Sequence, residues 1–279
     1  MLNIKKVEEL IARCVDEDVG MGDLTANLMI DETARGSFNV NARQPIVLAG
    51  IDVARMVFEY SAPQIETDIR VQDGTHVEAG TVLMHVAGPA RQLLTSERTA
   101  LNLLQHMCGI ATLTATYVEK IKGTGCQLID TRKTTPGLRM IEKHAVICGG
   151  GRNHRLSLDN GVMIKDNHIA VSGSLTAAIQ RAKSQVPVLT KVEVECDRLE
   201  QVEEALAAGA DILLLDNMGP EMLRQAVAIV DGKIPLEASG GINLETIRPI
   251  AETGVDFVSV GRITQSAPAV DIGLDEVEA

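Results

Sequence analysis

Between Asp130 and His168 the chain reads DTRKTTPGLRMIEKHAVICGGGRNHRLSLDNGVMIKDNH. From Asp130 to Lys165 this stretch carries seven Lys/Arg (Arg132, Lys133, Arg139, Lys143, Arg152, Arg155, Lys165) against Asp130, Glu142 and Asp159, in a protein of net charge −12. A basic pocket inside an acidic chain suits a small polyanionic substrate, because a cleft lined by one sign of charge focuses the field on its ligand. The cations punctuate strand ends instead of recurring at helical spacing, which separates them from an ordinary solvated basic face. Farther on, Lys191, Glu193 and Glu195 alternate with Val192 and Val194, so period two puts the three charges on one side of a strand. Burying them is costly unless they pair with each other, as a structural ion-pair ladder, or meet a ligand. Ser239-Gly240-Gly241 and Val260-Gly261-Arg262 are turns where backbone N–H groups can approach a phosphate closely.

These residues need a frame, and the second half of the chain supplies one. After Gly123, apolar strands near 127–130, 161–166, 188–196, 211–217, 236–242 and 257–263 alternate with helical runs near 174–184, 198–208, 220–230 and 244–252. Alternating β and α segments with near-continuously apolar strands imply a parallel sheet covered by helices. A repeat of about 20–25 residues and six or seven strands point to an open, incomplete α/β barrel of TIM type, whose chemistry belongs at the C-terminal strand ends. Those ends collect Thr131 to Thr134, Lys165 to His168, Lys191, Glu193 and Glu195, Asp216-Asn217, Glu237 with Ser239 to Gly241, and Gly261-Arg262. Cations on the first two strands fit an anionic acceptor or a pyrophosphate. Carboxylates on the next two fit a ribose diol or Mg²⁺, which prefers oxygen ligands. Lys165 could also form a Schiff base at a strand end, although nothing singles it out; no Ser-His-Asp arrangement is present.

The first half reads as a separate domain. Residues 4–15 predict a helix, the loop from Asp16 to Thr25 is polar and glycine-broken, weak alternation marks strands over 36–49, and 51–60 is helical. Val71 to Gly88 has the glycine-punctuated pattern of biotinyl and lipoyl carriers but no lysine to modify, so it reads as architecture. A helix is expected from Leu93 to Lys122, capped by Thr95 or Ser96, which puts Arg98 in its first turn. A cation there opposes the helix dipole, which suggests a ligand-reaching role beside the plainer one of a surface arginine. The domains are expected at 1–105 and 106–264, with the tail 265–279 returning to the first.

Composition narrows the class. Aromatics make up 2% of the chain and Trp is absent, so the core must be aliphatic and there is no stacking platform for nucleic acid, nor a broad cationic footprint. No apolar run approaches the roughly 18 residues of a membrane span, and the start is an acid-bearing amphipathic helix, not a signal peptide. Five scattered cysteines without a CxxC pair argue against a zinc site and for a reducing cytoplasm.

The motifs DTRKTTPG, GGGRNHR, IKDNHI, VEVE, LLLDN and EASGGI, in that order, with EDVGMGDLT and SERTALNLL before them, resemble quinolinate phosphoribosyltransferase, also called nicotinate-nucleotide pyrophosphorylase (carboxylating). The resemblance covers nearly the whole chain. It implies conversion of quinolinate and phosphoribosyl pyrophosphate to nicotinate mononucleotide, pyrophosphate and CO₂ with Mg²⁺, in de novo NAD biosynthesis. It also implies an N-terminal α/β sandwich, a C-terminal open α/β barrel, and a homodimer with a shared active site, with three such dimers forming a hexamer. On that pattern Arg132, His154, Arg155 and Lys165 hold the quinolinate carboxylates, and Arg98 reaches in from the neighbouring subunit. Lys133, Thr134 and Lys165 meet the phosphoribosyl donor. Glu195 and Asp216 address the ribose and the Mg²⁺–pyrophosphate side. Ser239, Gly240, Gly241, Val260, Gly261 and Arg262 hold phosphate, although a small residue often stands where this chain has Arg262. Lys133, Lys165, Glu195 and Asp216 are the expected catalytic set. The alternatives are a phosphoribosyltransferase taking nicotinate or another acid, including the paralogue of molybdate-transport operons, and a non-enzymatic phosphosugar-binding protein.

Overall fold

The structure is a computed structural model and describes residues 2–277; the ends of the expected first domain and tail, at 1 and at 278–279, lie outside them. In chain order the elements are α1 (Ile4–Val19), α2 (Leu24–Met29), β1 (Arg35–Ala42), β2 (Ile46–Val47), α3 (Ile51–Ser61), β3 (Glu66–Ile69), β4 (His76–Val77), β5 (Val82–Pro89), α4 (Ala90–Lys120), β6 (Gln127–Ile129), α5 (Arg139–Cys148), β7 (Val162–Ile164), α6 (Asp166–Ser172), α7 (Leu175–Gln185), β8 (Val192–Cys196), α8 (Leu199–Ala207), β9 (Ile212–Asp216), α9 (Pro220–Val230), β10 (Leu236–Ser239), α10 (Ile247–Ala251), β11 (Phe257–Ser259), α11 (Arg262–Gln265) and β12 (Ile272–Glu276). Two compact units result, the first from the described residues of Met1–Ala115, Thr135–Gly150 and Ser266–Ala279, the second from Thr116–Thr134 and Gly151–Gln265.

In the first unit an antiparallel sheet runs β12-β1-β5-β3. The C-terminal strand pairs with β1 from Phe38↔Glu276 to Ala42↔Ile272. Buried Leu10, Ile11, Val57, Phe58, Leu83, Met84 and Leu104 give the aliphatic core that the composition requires. Asn3 caps α1 and Asp23 caps α2, each accepting a backbone N–H from inside its helix.

Several elements differ from the sequence expectation. Helix α1 runs a turn further, to Val19, into what read as loop. Helix α4 starts at Ala90, so neither Thr95 nor Ser96 caps it: Thr95 Oγ1 donates to Asp23, and Ser96 Oγ donates back to Gln92 O. The helix continues directly from β5, and no polar cap marks its start. Arg98 therefore lies more than two turns inside, and the dipole argument does not apply to it. Helix α5 joins the first unit because it is anchored there by its own side chains. Fully buried Glu142 accepts from His106 Nε2 (2.9 Å) and from Thr135 N. His144 Nε2 lies 2.8 Å from Asp73 Oδ2, and Asp73 accepts the Gly50 and Ile51 N–H groups at the start of α3.

The second unit is a six-stranded sheet, β6-β11-β10-β9-β8-β7, in which every pairing is parallel. Its first strand lies beside its last, the connectivity of a sheet curling toward closure. The free edge of β6 is met by the extended segment after Gly151, where Ile129 and Arg152 form a parallel bridge. Arg152 N donates to Leu128 O and Asp130 N to Arg152 O. A one-bridge segment thus stands in the place of a seventh strand. Alternation decides the faces: Val192, Val194, Leu213, Leu215, Leu236, Ala238 and Val258 are buried apolar positions, while Glu193, Glu195, Leu214, Asp216, Glu237, Ser239 and Ser259 line the interior. Lys191 precedes β8 and is exposed, so the three-charge ladder is a two-carboxylate one.

Candidate active site

The C-terminal strand ends of the second unit enclose a cavity of about 610 Å³ lined by Asp130 to Lys133, His154, Arg155, Met163, Lys165, Glu195, Leu214, Asp216, Asn217, Glu237, Ser239 to Gly241 and Ser259. A smaller pocket of about 210 Å³ shares Thr131, Lys133, Ser239 to Gly241 and Ser259 with it and adds Val260, Gly261, Arg262 and Gln265. Of the residues expected at the site, Arg132, Lys133, His154, Arg155, Lys165, Glu195, Asp216 and the two glycine turns converge here. Arg262 lines the smaller pocket. Thr134 lines neither; its N–H bonds Arg132 O at 3.0 Å. Arg98 belongs to the first unit, with its side chain 58% exposed and 3.9 Å from Glu97.

The wall contributed by Arg132 and Arg155 is electrostatically loaded. Burial and the charge of Arg132 hold Arg155 below the ordinary arginine range. Its guanidinium donates to Gly161 O and Met163 Sδ, and among the described residues Arg132 Nε is buried without a hydrogen-bond partner. Two partly buried guanidiniums close enough to repel each other in one cavity call for an anion to neutralise them. Across the cavity Lys165 Nζ pairs with Glu195. Asp216 is pushed up by burial and by the like charge of Glu195. Hydroxyl donors or a cation would relieve that repulsion, so the oxygen-only pair Glu195 and Asp216 fits Mg²⁺ carried in with a diphosphate.

The turn at Gly240 requires glycine: it adopts φ +99°, and a Cβ there would overlap Asn217 Oδ1 and press on Asn217 N. At Gly261 a Cβ would meet only the flexible Lys133 side chain, at 2.7 Å from Cδ. Both glycines line the smaller pocket, where bare backbone leaves room for an anion.

Sequence reasoning placed Glu193 and Glu237 on the barrel strands and His154 at the site, but did not join them into one cluster on the cavity floor. His154 Nε2 lies 2.8 Å from Glu193 and 3.4 Å from Glu237. Glu193 and Glu237 are 4% and 2% exposed. His154 Nδ1 accepts from Arg155 N at 2.7 Å, so neither ring nitrogen stands open to the cavity. Burial alone would lower His154, but its hydrogen bonds to Glu193 and Glu237 raise it to about 10. Burial raises Glu237 to about 7, with Glu193 adding to the rise and His154 opposing it. The cluster as a whole keeps a proton at neutral pH, because two buried carboxylates side by side cannot both ionise freely. The available signal was period two on β8, which placed Glu193 inward, and the glutamate of EASGGI.

A parallel α/β barrel with cations facing carboxylates and glycine-walled phosphate pockets defines an enzyme class acting on phosphorylated, anionic small molecules at its strand ends. Family models for quinolinate phosphoribosyl transferase match the chain at residues 23–108 (N-terminal domain) and 110–275 (C-terminal domain). The chain is 38% identical over 274 residues to a probable nicotinate-nucleotide pyrophosphorylase [carboxylating] of Bacillus subtilis, covering 98% of this chain and 94% of that one. It is 41% identical to the nicotinate-nucleotide pyrophosphorylase [carboxylating] of Mycobacterium leprae, with 96% of each covered. The crystal structure of NadC from Streptococcus pyogenes superposes with a TM-score of 0.95 at 38% identity, covering 100% of this chain and 99% of that one. The chain belongs to the quinolinate phosphoribosyltransferase family.

Proposed function

We propose that this protein is a decarboxylating phosphoribosyltransferase that joins quinolinate to the ribose of phosphoribosyl pyrophosphate and releases pyrophosphate and CO₂, yielding nicotinate mononucleotide for NAD synthesis. The observation that carries the reading is the mutually repelling pair Arg132 and Arg155, which shares one cavity with Lys133, Lys165, Glu195 and Asp216. Two guanidinium forks match two carboxylates, where a monocarboxylate needs one. Glu195 and Asp216 orient the ribose hydroxyls and address the Mg²⁺ of the donor. Lys133, with the turns at Ser239 to Gly241 and Val260 to Arg262, takes its phosphates. Loss of pyrophosphate leaves an oxocarbenium-like ribose that needs placement and electrostatic stabilisation more than a nucleophile. The pyridinium nitrogen formed by transfer then draws in the electrons left when the adjacent carboxylate departs.

The assembly belongs to the same reading: a homodimer in which Arg98 of one subunit completes the acceptor site of the other, with three dimers forming a hexamer. Among the described residues no helix is long and apolar enough to cross a membrane; all five cysteines are free thiols, which suits a reducing cytoplasm. The test supplies phosphoribosyl pyrophosphate and Mg²⁺ with quinolinate or with nicotinate, and measures pyrophosphate and CO₂. Both products should appear with quinolinate. Pyrophosphate with nicotinate alone points instead to a monocarboxylate enzyme, and ligand binding without turnover to a phosphosugar sensor.

A further inference from the structure

We propose that Asp73, His144 and Cys148 form a site for a divalent cation of the zinc type, which fastens α5 to the turn ahead of β4. All three residues lie in the first unit. None of them lines the cavity or the smaller pocket of the proposed reaction, so the inference does not depend on that reaction.

The spacing of the donors has a simple origin. His144 and Cys148 are four residues apart on α5, so one turn of helix puts imidazole and thiol on the same face. Asp73 meets that face from the turn before β4. Asp73 Oδ2 lies 2.8 Å from His144 Nε2, His144 Nε2 lies 3.4 Å from Cys148 Sγ, and Cys148 Sγ lies 3.9 Å from Asp73 Oδ2. Tetrahedral zinc, with bonds of about 2.0–2.3 Å, holds its nitrogen, oxygen and sulfur ligands about 3.3–3.6 Å apart. The three separations straddle that range. The sequence lacks a CxxC pair, but histidine and cysteine one helical turn apart supply two donors without one.

The surroundings suit an ion as well. Asp73 Oδ1 accepts Ile51 N at 3.0 Å and Oδ2 accepts Gly50 N at 2.9 Å. Backbone thus fixes the carboxylate in place, as hydrogen bonds commonly do for a metal-binding carboxylate. Gly74 adopts φ +86°, and Cys148 O is 3.6 Å from where its Cβ would sit, so the turn lies directly against the end of α5. The Asp73 and His144 side chains are 20% and 22% exposed, which lets an ion enter and water fill a fourth position. Among the described residues this is the one group of three candidate ligands that includes a thiol. Thiolate with imidazole selects zinc over magnesium, which prefers oxygen. On binding, the Cys148 S–H bond breaks, its proton goes to solvent, and the sulfur's electron pair binds the ion. Neutral His144 carries its hydrogen on Nδ1 and coordinates through Nε2. One thiolate and one carboxylate then balance the two positive charges.

The test titrates the full chain with Co²⁺, a spectroscopic substitute for Zn²⁺, with Mg²⁺ in excess to occupy oxygen-only sites. Wild type should show the sulfur-to-cobalt charge-transfer band of a thiolate ligand. Cys148→Ser leaves the Asp73–His144 pair intact and should lose that band, with affinity falling on the order of 10²-fold or more. Cys14→Ser, a thiol elsewhere in the same unit, should change neither. Saturating Zn²⁺ should raise the melting temperature of wild type by about 5 °C and leave Cys148→Ser unmoved. On the unaltered chain, Zn²⁺ should also protect Cys148 from alkylation, read by peptide mass, while Cys14 is still modified. No charge-transfer band in wild type overturns the proposal, as does a band that persists in Cys148→Ser. Equal alkylation of Cys148 with and without Zn²⁺ overturns it too, and leaves Asp73 and His144 as a contact that only docks α5. The alkylation measurement needs no variant, so it decides the matter even where Cys148→Ser does not fold.

Discussion

Arg155 shows how the site stores its affinity: it stays charged although partly buried and next to Arg132, and an arriving dicarboxylate relieves that cost. Arg155→Ala should lower kcat/KM for quinolinate by on the order of 10²-fold. Arg155→Lys should recover only part of the loss, because an ammonium cannot present two parallel N–H groups; steady-state kinetics separate the two. The floor cluster makes stability depend on pH. Glu237 is raised from 4.5 to about 7 and His154 from 6.5 to about 10, so the folded protein binds more protons than the unfolded chain across both windows. The corresponding stabilisation is fully present below them and is lost as pH rises through them. Calorimetry should show the melting temperature falling as pH rises from about 5 to 7, where Glu237 ionises, and on towards 10, where His154 loses its charge, the second fall being smaller in His154→Gln.

At the scale of elements, the stand-in for a seventh strand holds to β6 through a single bridge, Ile129 to Arg152. Asp130 fastens it, since its carboxylate accepts from Asn153 and from the His154 backbone. Asp130→Ala should cost about 1–3 kcal/mol for each donor stranded, seen as a lower denaturation midpoint. His154 should shift with it, and Arg155 beside it, so quinolinate binding weakens too. The β10 turn carries a second prediction. Gly240→Ala meets both a positive φ and the Asn217 side chain, so it should lose about 1–3 kcal/mol of stability. The same change should weaken binding of the phosphoribosyl donor more than that of quinolinate, which titration calorimetry can resolve.

For the whole molecule, the central question is whether Arg98 acts across subunits. Arg98→Ala and Lys165→Ala chains should each be nearly inactive alone. Mixed under conditions that allow subunit exchange, they should recover up to about a quarter of wild-type activity, because half the dimers are hybrids and each hybrid carries one intact site of two. Confirmed exchange without recovery would show that each subunit builds its site alone.

Local periodicity made the barrel legible before any coordinates. Period two on β8 marked its inward carboxylates, strand ends marked Asp216 and Glu237, the glycine turns marked the phosphate end, and the cationic run marked the acceptor end. Each of these signals lies within a few residues of chain and reflects strand geometry directly. Other features depended on contacts between distant segments. Thr95 and Ser96 have the chemistry of helix caps, yet α4 begins five residues before Thr95, because it grows directly out of β5 and needs no polar stop. The run from Arg139 to Cys148 looked like part of the cationic site, but Glu142 and His144 tie it to His106 and Asp73 within the first unit. His154, Glu193 and Glu237 lie 39 and 44 residues apart along the chain, and only closure of the sheet brings them to one proton. The sequence by itself determined which faces are apolar and which residues could carry charge. Tertiary structure decided which charges meet, because pairing a buried ion depends on distances through space that no spacing along the chain encodes.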